Sequence, residues 1–321
     1  MYSRAAAPSC IPAPDGLVGW WTGDGSAVDI AGTNNGVLIG GATANAPGVV
    51  GMAFDLDGTN ALVRIPDSPA LRPTNLTIEA WVLFRSLNTT GTSGNLGEQY
   101  IVFHQNSRLG NFEGYFLGKS HGTNRDFLLF EVTSAAGQTV EADSVTGVVT
   151  GAWYHVAGVR GTNFLQIYVN GQLETQVPVN FPQDYGNYPL YFGSSGQPYW
   201  DRKFNGLLDE VSLYNRALSA DEIAAIYNAG SDGKCKPGGA GASLSIALST
   251  VNSQTLPCLT LVGQVNQTYG IQFSTDLTST NGWIGATNLT LTTATNVWCD
   301  PQPPTDTQRF YRAVPGPISI P

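Results

Sequence analysis

The sequence predicts an all-β protein of two sandwiches, a large one followed by a small one. Three observations carry that prediction. Apolar residues recur at every second position in many short runs, the period of a strand with one buried face. Only 12% of the 321 residues are charged while 38 are glycine, so the surface is built from small polar side chains and tight turns. A single segment reads as helix. Hydrophobic residues at 42% and aromatics at 10% supply an ample core, which excludes global disorder.

Taken in chain order, Leu76 to Phe84 is one long alternating strand and Trp153 to Val159 is another. Phe164 to Val169 leads into Asn170-Gly171, a hairpin signal because both turn positions need positive φ, and Gln172 to Val177 returns. Leu207 to Tyr214 follows, with Leu207, Asp209, Val211 and Leu213 assigned to one face. The helix begins at Ser219-Ala220-Asp221-Glu222, a capping box with Leu218 and Ile223 placed as a hydrophobic staple. Ile223, Ile226 and Tyr227 form its stripe and Gly230 ends it. Residues 236–243 are a Gly-rich linker. Beyond it, over 244–321, alternation resumes at Leu244–Leu248, Leu259–Val265, Tyr269–Ser274, Leu289–Thr293 and Phe310–Val314, enough short strands for a small β-sandwich.

Charge and cysteine content narrow the function. A net charge of −9 without a Lys/Arg run repels phosphate backbones, which argues against nucleic acid, and no stretch is long and apolar enough to span a membrane as a helix. Excess carboxylate suits calcium, and neutral glycans are compatible partners. The four cysteines lack a C-x-x-C pair. Of three possible connectivities, their positions favour Cys10–Cys235, bracketing the first domain (10–235), and Cys258–Cys299 inside the second. Two disulfides imply an oxidising compartment.

Several stretches, in order, resemble one family. They are Gly16-Leu17-Val18-Gly19-Trp20-Trp21 with Asp29 to Gly36, then Phe54-Asp55-Leu56-Asp57-Gly58 leading to Thr77–Val82. Trp153-Tyr154-His155-Val156-Ala157 and Tyr168-Val169-Asn170-Gly171 follow, and Phe204 to Leu218 runs into the capped helix. Together they resemble the laminin-G-like, concanavalin A-like jelly roll of secreted bacterial proteins. The C-terminal stretch, with Tyr269 to Leu277, Trp283 and Arg309-Phe310-Tyr311-Arg312, is similar to a less defined module of such proteins.

The resemblance implies a structural calcium held by Asp29 and Asp209, with Asp24, Asn34 and Asp57 as weaker ligands. The alternative is that Asp29 caps a turn and Asp209 accepts backbone hydrogen bonds. Glycan binding on this fold implies exposed aromatics, and the segment from Phe181 to Lys203 offers Tyr185, Tyr188, Tyr199 and Trp200. Tyr199 and Trp200 fall in a polar loop, where they either bind a ligand or fold back over the sandwich edge. Among the histidines, His155 reads as a structural residue in its strand, His104 as facing the open surface, and His121 as part of a hairpin loop. Catalysis by paired carboxylates finds no support, since Glu79, Glu98, Glu113 and Glu131 each stand alone in the sequence. The reading is a non-catalytic, extracellular or cell-surface carbohydrate-binding or adhesion module. Its rivals are a polysaccharide lyase or glycoside hydrolase on the same fold, and a surface protein that contacts other proteins.

Overall fold

The computed structural model describes residues 10–89, 97–106, 112–236, 243–251, 254–262, 268–276, 283–293, 295–301, 309–315 and 317–320. Most of the expected linker falls outside them. The described chain divides into two compact units, Ile11–Lys234 and the segment from Cys235 onward, with Cys10 belonging to the second.

The first unit runs through β1 (Leu17–Trp21), β2 (Val37–Ile39), β3 (Thr43–Pro47), β4 (Met52–Asp57), β5 (Leu62–Ile65), β6 (Leu76–Phe84), β7 (Gln99–Gln105) and β8 (Gly114–His121). It continues with β9 (Asp126–Thr133), β10 (Thr139–Gly147), β11 (Trp153–Arg160), β12 (Phe164–Val169), β13 (Gln172–Pro178), β14 (Leu190–Phe192) and β15 (Asn205–Tyr214), and closes with α1 (Ala220–Asn228). Among the described residues these strands form two antiparallel sheets. One has the order β13-β12-β11-β6-β15-β4-β3, with β1 also paired to β15. The other has the order β10-β9-β8-β7-β14-β5-β2. Alternation explains the layering. Ile78, Ala80 and Val82 of β6 meet Leu128, Phe130 and Val132 of β9 in one core between the sheets, all fully buried.

The expected all-β, concanavalin A-like architecture is present. Asn170 and Gly171 take φ of 49° and 75° at the β12–β13 turn, as an Asn-Gly hairpin requires. In α1 the Ser219 side chain accepts from the Glu222 backbone N–H while the Glu222 side chain accepts from Ser219 N–H. Leu218, Ile223 and Ile226 pack with Ala157, Val159 and Tyr214 in a second apolar cluster, so the helix covers one face of the first sheet.

One alternation departs from expectation. Leu208, Val211 and Leu213 of β15 lie in the core, whereas Leu207, Asp209, Val211 and Leu213 were expected on one face. A bulge between Asp209 and Ser212, with Glu210 at φ 57°, inserts an extra residue and switches the side-chain parity.

A buried ionic group joins β6, β11 and the end of the unit. The Glu79 carboxylate meets Lys234 Nζ at 2.7 Å and His155 Nε2 at 3.1 Å. Burial alone would raise its pKa, but the Lys234 ammonium and His155 outweigh that and hold it at about 2. His155 is therefore structural, as its strand position suggests.

The second unit contains β16 (Ser243–Val251), β17 (Gln254–Val262), β18 (Thr268–Ser274), β19 (Ile284–Thr290), β20 (Thr295–Cys299) and β21 (Phe310–Pro315). They form two three-stranded sheets, β16-β17-β20 and β19-β18-β21, around Leu259, Leu261, Tyr269, Ile271 and Leu291. Both expected disulfides are present, Cys10–Cys235 and Cys258–Cys299, with Cα atoms 5.0 and 3.9 Å apart. Cys258 and Cys299 are direct partners in the β17–β20 register.

Candidate functional site

Strands β7 to β10 turn one face to the core and the other outward. Tyr115 and Leu117, Phe130 and Val132, and Ala142 point inward. The intervening Phe116, Leu129, Glu131, Thr139 and Glu141 point the other way and floor a cleft of about 270 Å³. Loops supply its lip through Glu98, Phe112, Trp200 and Arg202.

The lip is aromatic and its backbone is strained. Phe112 and Trp200 have φ of 53° and 54°, a region that bulky side chains rarely enter. Their rings meet edge to face with centroids 6.0 Å apart. Trp200 nevertheless remains 47% exposed, beside Tyr199 at 61%. The Arg202 guanidinium lies 5.7 Å from the Trp200 ring centroid and its Nε contacts Glu98 at 2.7 Å. Beneath them, Tyr100 packs on Phe103 and Phe116 with centroids 4.4 and 5.0 Å away.

The floor carries acids that the chain order conceals. Glu131 and Glu141 are direct partners in the β9–β10 register, which sets their Cβ atoms about 5 Å apart. The Glu131 carboxylate accepts from Gln105 Nε2 at 3.0 Å and Thr133 Oγ1 at 3.3 Å. Burial raises the Glu131 pKa. Burial, then a hydrogen bond shared with Asp143 and its charge, push Glu141 up to about 8. Glu131 is thus not alone, and Glu141 escapes a reading that seeks acids adjacent in sequence. The missed signal is the tight hairpin around Ser134 to Gln138, which brings the two residues opposite.

A family profile described as the concanavalin A-like lectin/glucanases superfamily matches residues 57–224 of the 321. The chain belongs to that superfamily. No curated protein matches the sequence. Among solved structures, domain 4 of AbnA, an extracellular arabinanase from Geobacillus stearothermophilus, aligns with TM-score 0.51 at 18% identity, over 65% of this chain and 96% of that domain. The binding domain of Paraclostridial Mosquitocidal Protein 1 aligns with TM-score 0.54 at 14% identity, over 89% of this chain and 75% of that one. The binding domain of botulinum neurotoxin serotype C1 gives TM-score 0.51 at 13% identity, over 80% of this chain, which spans 57% of that one. These likenesses show the concanavalin A-like fold.

The expected site residues do not all meet. Trp200 lines the cleft and Tyr199 stands exposed beside it in sequence. Tyr185 and Tyr188 do not line it. Tyr185 packs its ring on His104 and Tyr115 and donates its hydroxyl to the Pro73 carbonyl at 2.7 Å, so it is a packing residue and not a sugar platform. Tyr188 offers its carbonyl to His104 Nε2 at 3.0 Å. His104 itself is only 2% exposed, contrary to the expected open position, and burial holds its pKa down at about 4. His121 ends β8 and its Nδ1 lies 3.2 Å from Asp126.

The two aspartates expected to hold calcium make backbone contacts. Asp29 Oδ1 accepts from the backbone N–H groups of Trp20 (2.9 Å), Ala31 (3.0 Å) and Gly32 (3.0 Å). Its Oδ2 accepts from Asn34 N–H at 3.0 Å and Asn34 Nδ2 at 3.2 Å. Asp209 Oδ2 accepts from Val49 and Val50 N–H at 2.7 and 2.8 Å. Among the described residues no group of three or more His, Cys, Asp or Glu is placed to hold a metal. Asp29 and the Oδ2 atom of Asp209 thus brace loops through backbone N–H groups.

Proposed function

We propose that the first unit binds a glycan in the cleft over β7 to β10, with Trp200 as the stacking platform, and that it works outside the reducing cytoplasm. The carrying observation is the pair Phe112 and Trp200. Two bulky aromatics held at positive φ, one of them half exposed at a cleft mouth, cost strain that packing alone does not explain. A sugar ring laid on Trp200 would cover its apolar face, while Arg202, Glu131 and Thr139 address the hydroxyls. Further support comes from the AbnA domain of like fold, whose structure holds arabinotriose. The two disulfides support an extracellular or cell-surface setting.

The test is a glycan-array screen followed by calorimetry on Trp200→Ala. The variant should keep its melting temperature and lose roughly 1–3 kcal/mol of binding. A sharp fall in stability with affinity unchanged would make Trp200 a cover for the sandwich and place the site elsewhere.

The opposed pair Glu131 and Glu141 favours a second reading, glycoside hydrolysis in the same cleft. One carboxyl held up at about 8 stays protonated at neutral pH and suits a general acid. New reducing ends released from a bound polysaccharide, and lost in both Glu131→Gln and Glu141→Gln, would establish it. Binding without product release would leave the lectin-like reading standing.

A further inference from the structure

A second groove, of about 490 Å³, lies where the β11–β12 turn, the segment after β13 and the residues preceding β6 come together, and it shares no lining residue with the cleft. Its lining includes Arg160, the last residue of β11, which is 2% exposed. Among the described residues the Arg160 side chain makes one hydrogen bond, from Nη2 to the Phe181 carbonyl at 2.7 Å. Its Nε and Nη1 are buried and meet no acceptor. Burial lowers the guanidinium pKa, and the Tyr185 hydroxyl opposes that. A buried cation without a carboxylate partner bears its desolvation penalty unrelieved.

Gln183 lines the same groove and is 9% exposed. Its Nε2 donates to the carbonyls of Gly114 and Asp184, both at 3.0 Å. Two carbonyl acceptors fix which end of the amide is nitrogen. Oε1 is left buried without a donor. The groove therefore holds unmet donors on Arg160 and an unmet acceptor on Gln183. An inorganic anion would satisfy only the first, and a neutral sugar would leave the cation unpaired.

We propose that this groove is a subsite for an acidic sugar, whose carboxylate or sulfate ester accepts from Arg160 while one of its hydroxyls donates to Gln183 Oε1. The rim residues Thr162, Asn163 and Asn180 are exposed, so entry is from the solvent side. The net charge of −9 disfavours anions in general, so affinity must come from these contacts.

Calorimetry and thermal melting of the full chain with glucuronate, glucose, glucose 6-sulfate and inorganic sulfate provide the test. Glucuronate or glucose 6-sulfate should bind at least tenfold more tightly than glucose and raise the melting temperature; which of the two prevails identifies the acidic group. Arg160→Met should abolish that preference. Because Arg160 is buried, Asn180→Trp is run in parallel. It fills the groove from the exposed rim and should lose acidic-sugar binding while the free protein melts as before. Trp200→Ala should bind the acidic sugar normally, which separates this subsite from the cleft. Acidic sugars binding no better than glucose would overturn the proposal, as would inorganic sulfate binding as tightly as either, or acidic-sugar binding that survives Asn180→Trp.

Discussion

Glu141 stands beside Asp143 and opposite Glu131, and this crowding decides how the cleft responds to pH. With its pKa pushed up to about 8, the carboxyl is mostly protonated at neutral pH and can donate to a glycan hydroxyl. Above that value it ionises, the donor is lost, and like charge gathers on the floor. Affinity for a neutral glycan should therefore fall as pH rises from 7 to 9. Glu141→Gln keeps a neutral donor at every pH, so its affinity should match the wild type at pH 7 and stay flat to pH 9. A wild-type affinity that is also flat would remove Glu141 from the site. Trp200 shows how far a residue can be read from sequence. Its polar neighbours mark it as an exposed aromatic, but the partner ring of Phe112 lies far from it in the chain and arrives only through folding.

Elements that announce themselves locally were legible, and those made by distant pairing were not. The capping box of α1 and the Asn-Gly turn need only neighbouring residues, and both stand where the pattern places them. The bulge in β15 is different. Nothing in Leu207 to Tyr214 signals that Glu210 adopts φ 57°, because its Oε2 is held by Trp20 Nε1, 190 positions away in the chain. The bulge also aims Asp209 at the backbone of the turn after β3, where Gly48 is required: a Cβ there would come within 2.4 Å of Asp209 Oδ2. The loop after β1 depends on Asp29 in the same way. Asp29→Ala would leave buried N–H groups without an acceptor and should cost on the order of 2–4 kcal/mol. EDTA should leave the wild-type melting temperature unchanged if loop bracing by N–H donors is all that these carboxylates do. A drop on chelation, reversed by calcium, would overturn that account and restore the metal.

For the whole molecule, buried groups with shifts of opposite sign set the response to acid. Glu79 is held at about 2 against an ordinary 4.5, so its contribution is complete above 4.5 and is lost as pH falls toward 2. His104 is held at about 4 against 6.5, so the unfolded chain takes up its proton first, and stability declines as pH falls from 6.5 to 4. Glu141 runs the other way: the folded chain keeps its proton up to about 8 while the unfolded chain does not, so stability rises as pH falls from 8 toward 4.5 and offsets the loss from His104. Removing the histidine separates the two. The urea midpoint of His104→Asn should climb relative to the wild type as pH falls from 6.5 to 4.5, and a difference that does not change over that range would show that His104 is not buried in its neutral form. The Cys10–Cys235 bond has a further, mechanical consequence. It joins residues 225 positions apart at the two ends of the large sandwich. Tension applied to the chain on the outer sides of these cysteines runs through one covalent bridge and never reaches the strands between them. A jelly roll wired in this way is bypassed by a pull along the chain, and it outlasts forces that would otherwise peel it apart strand by strand.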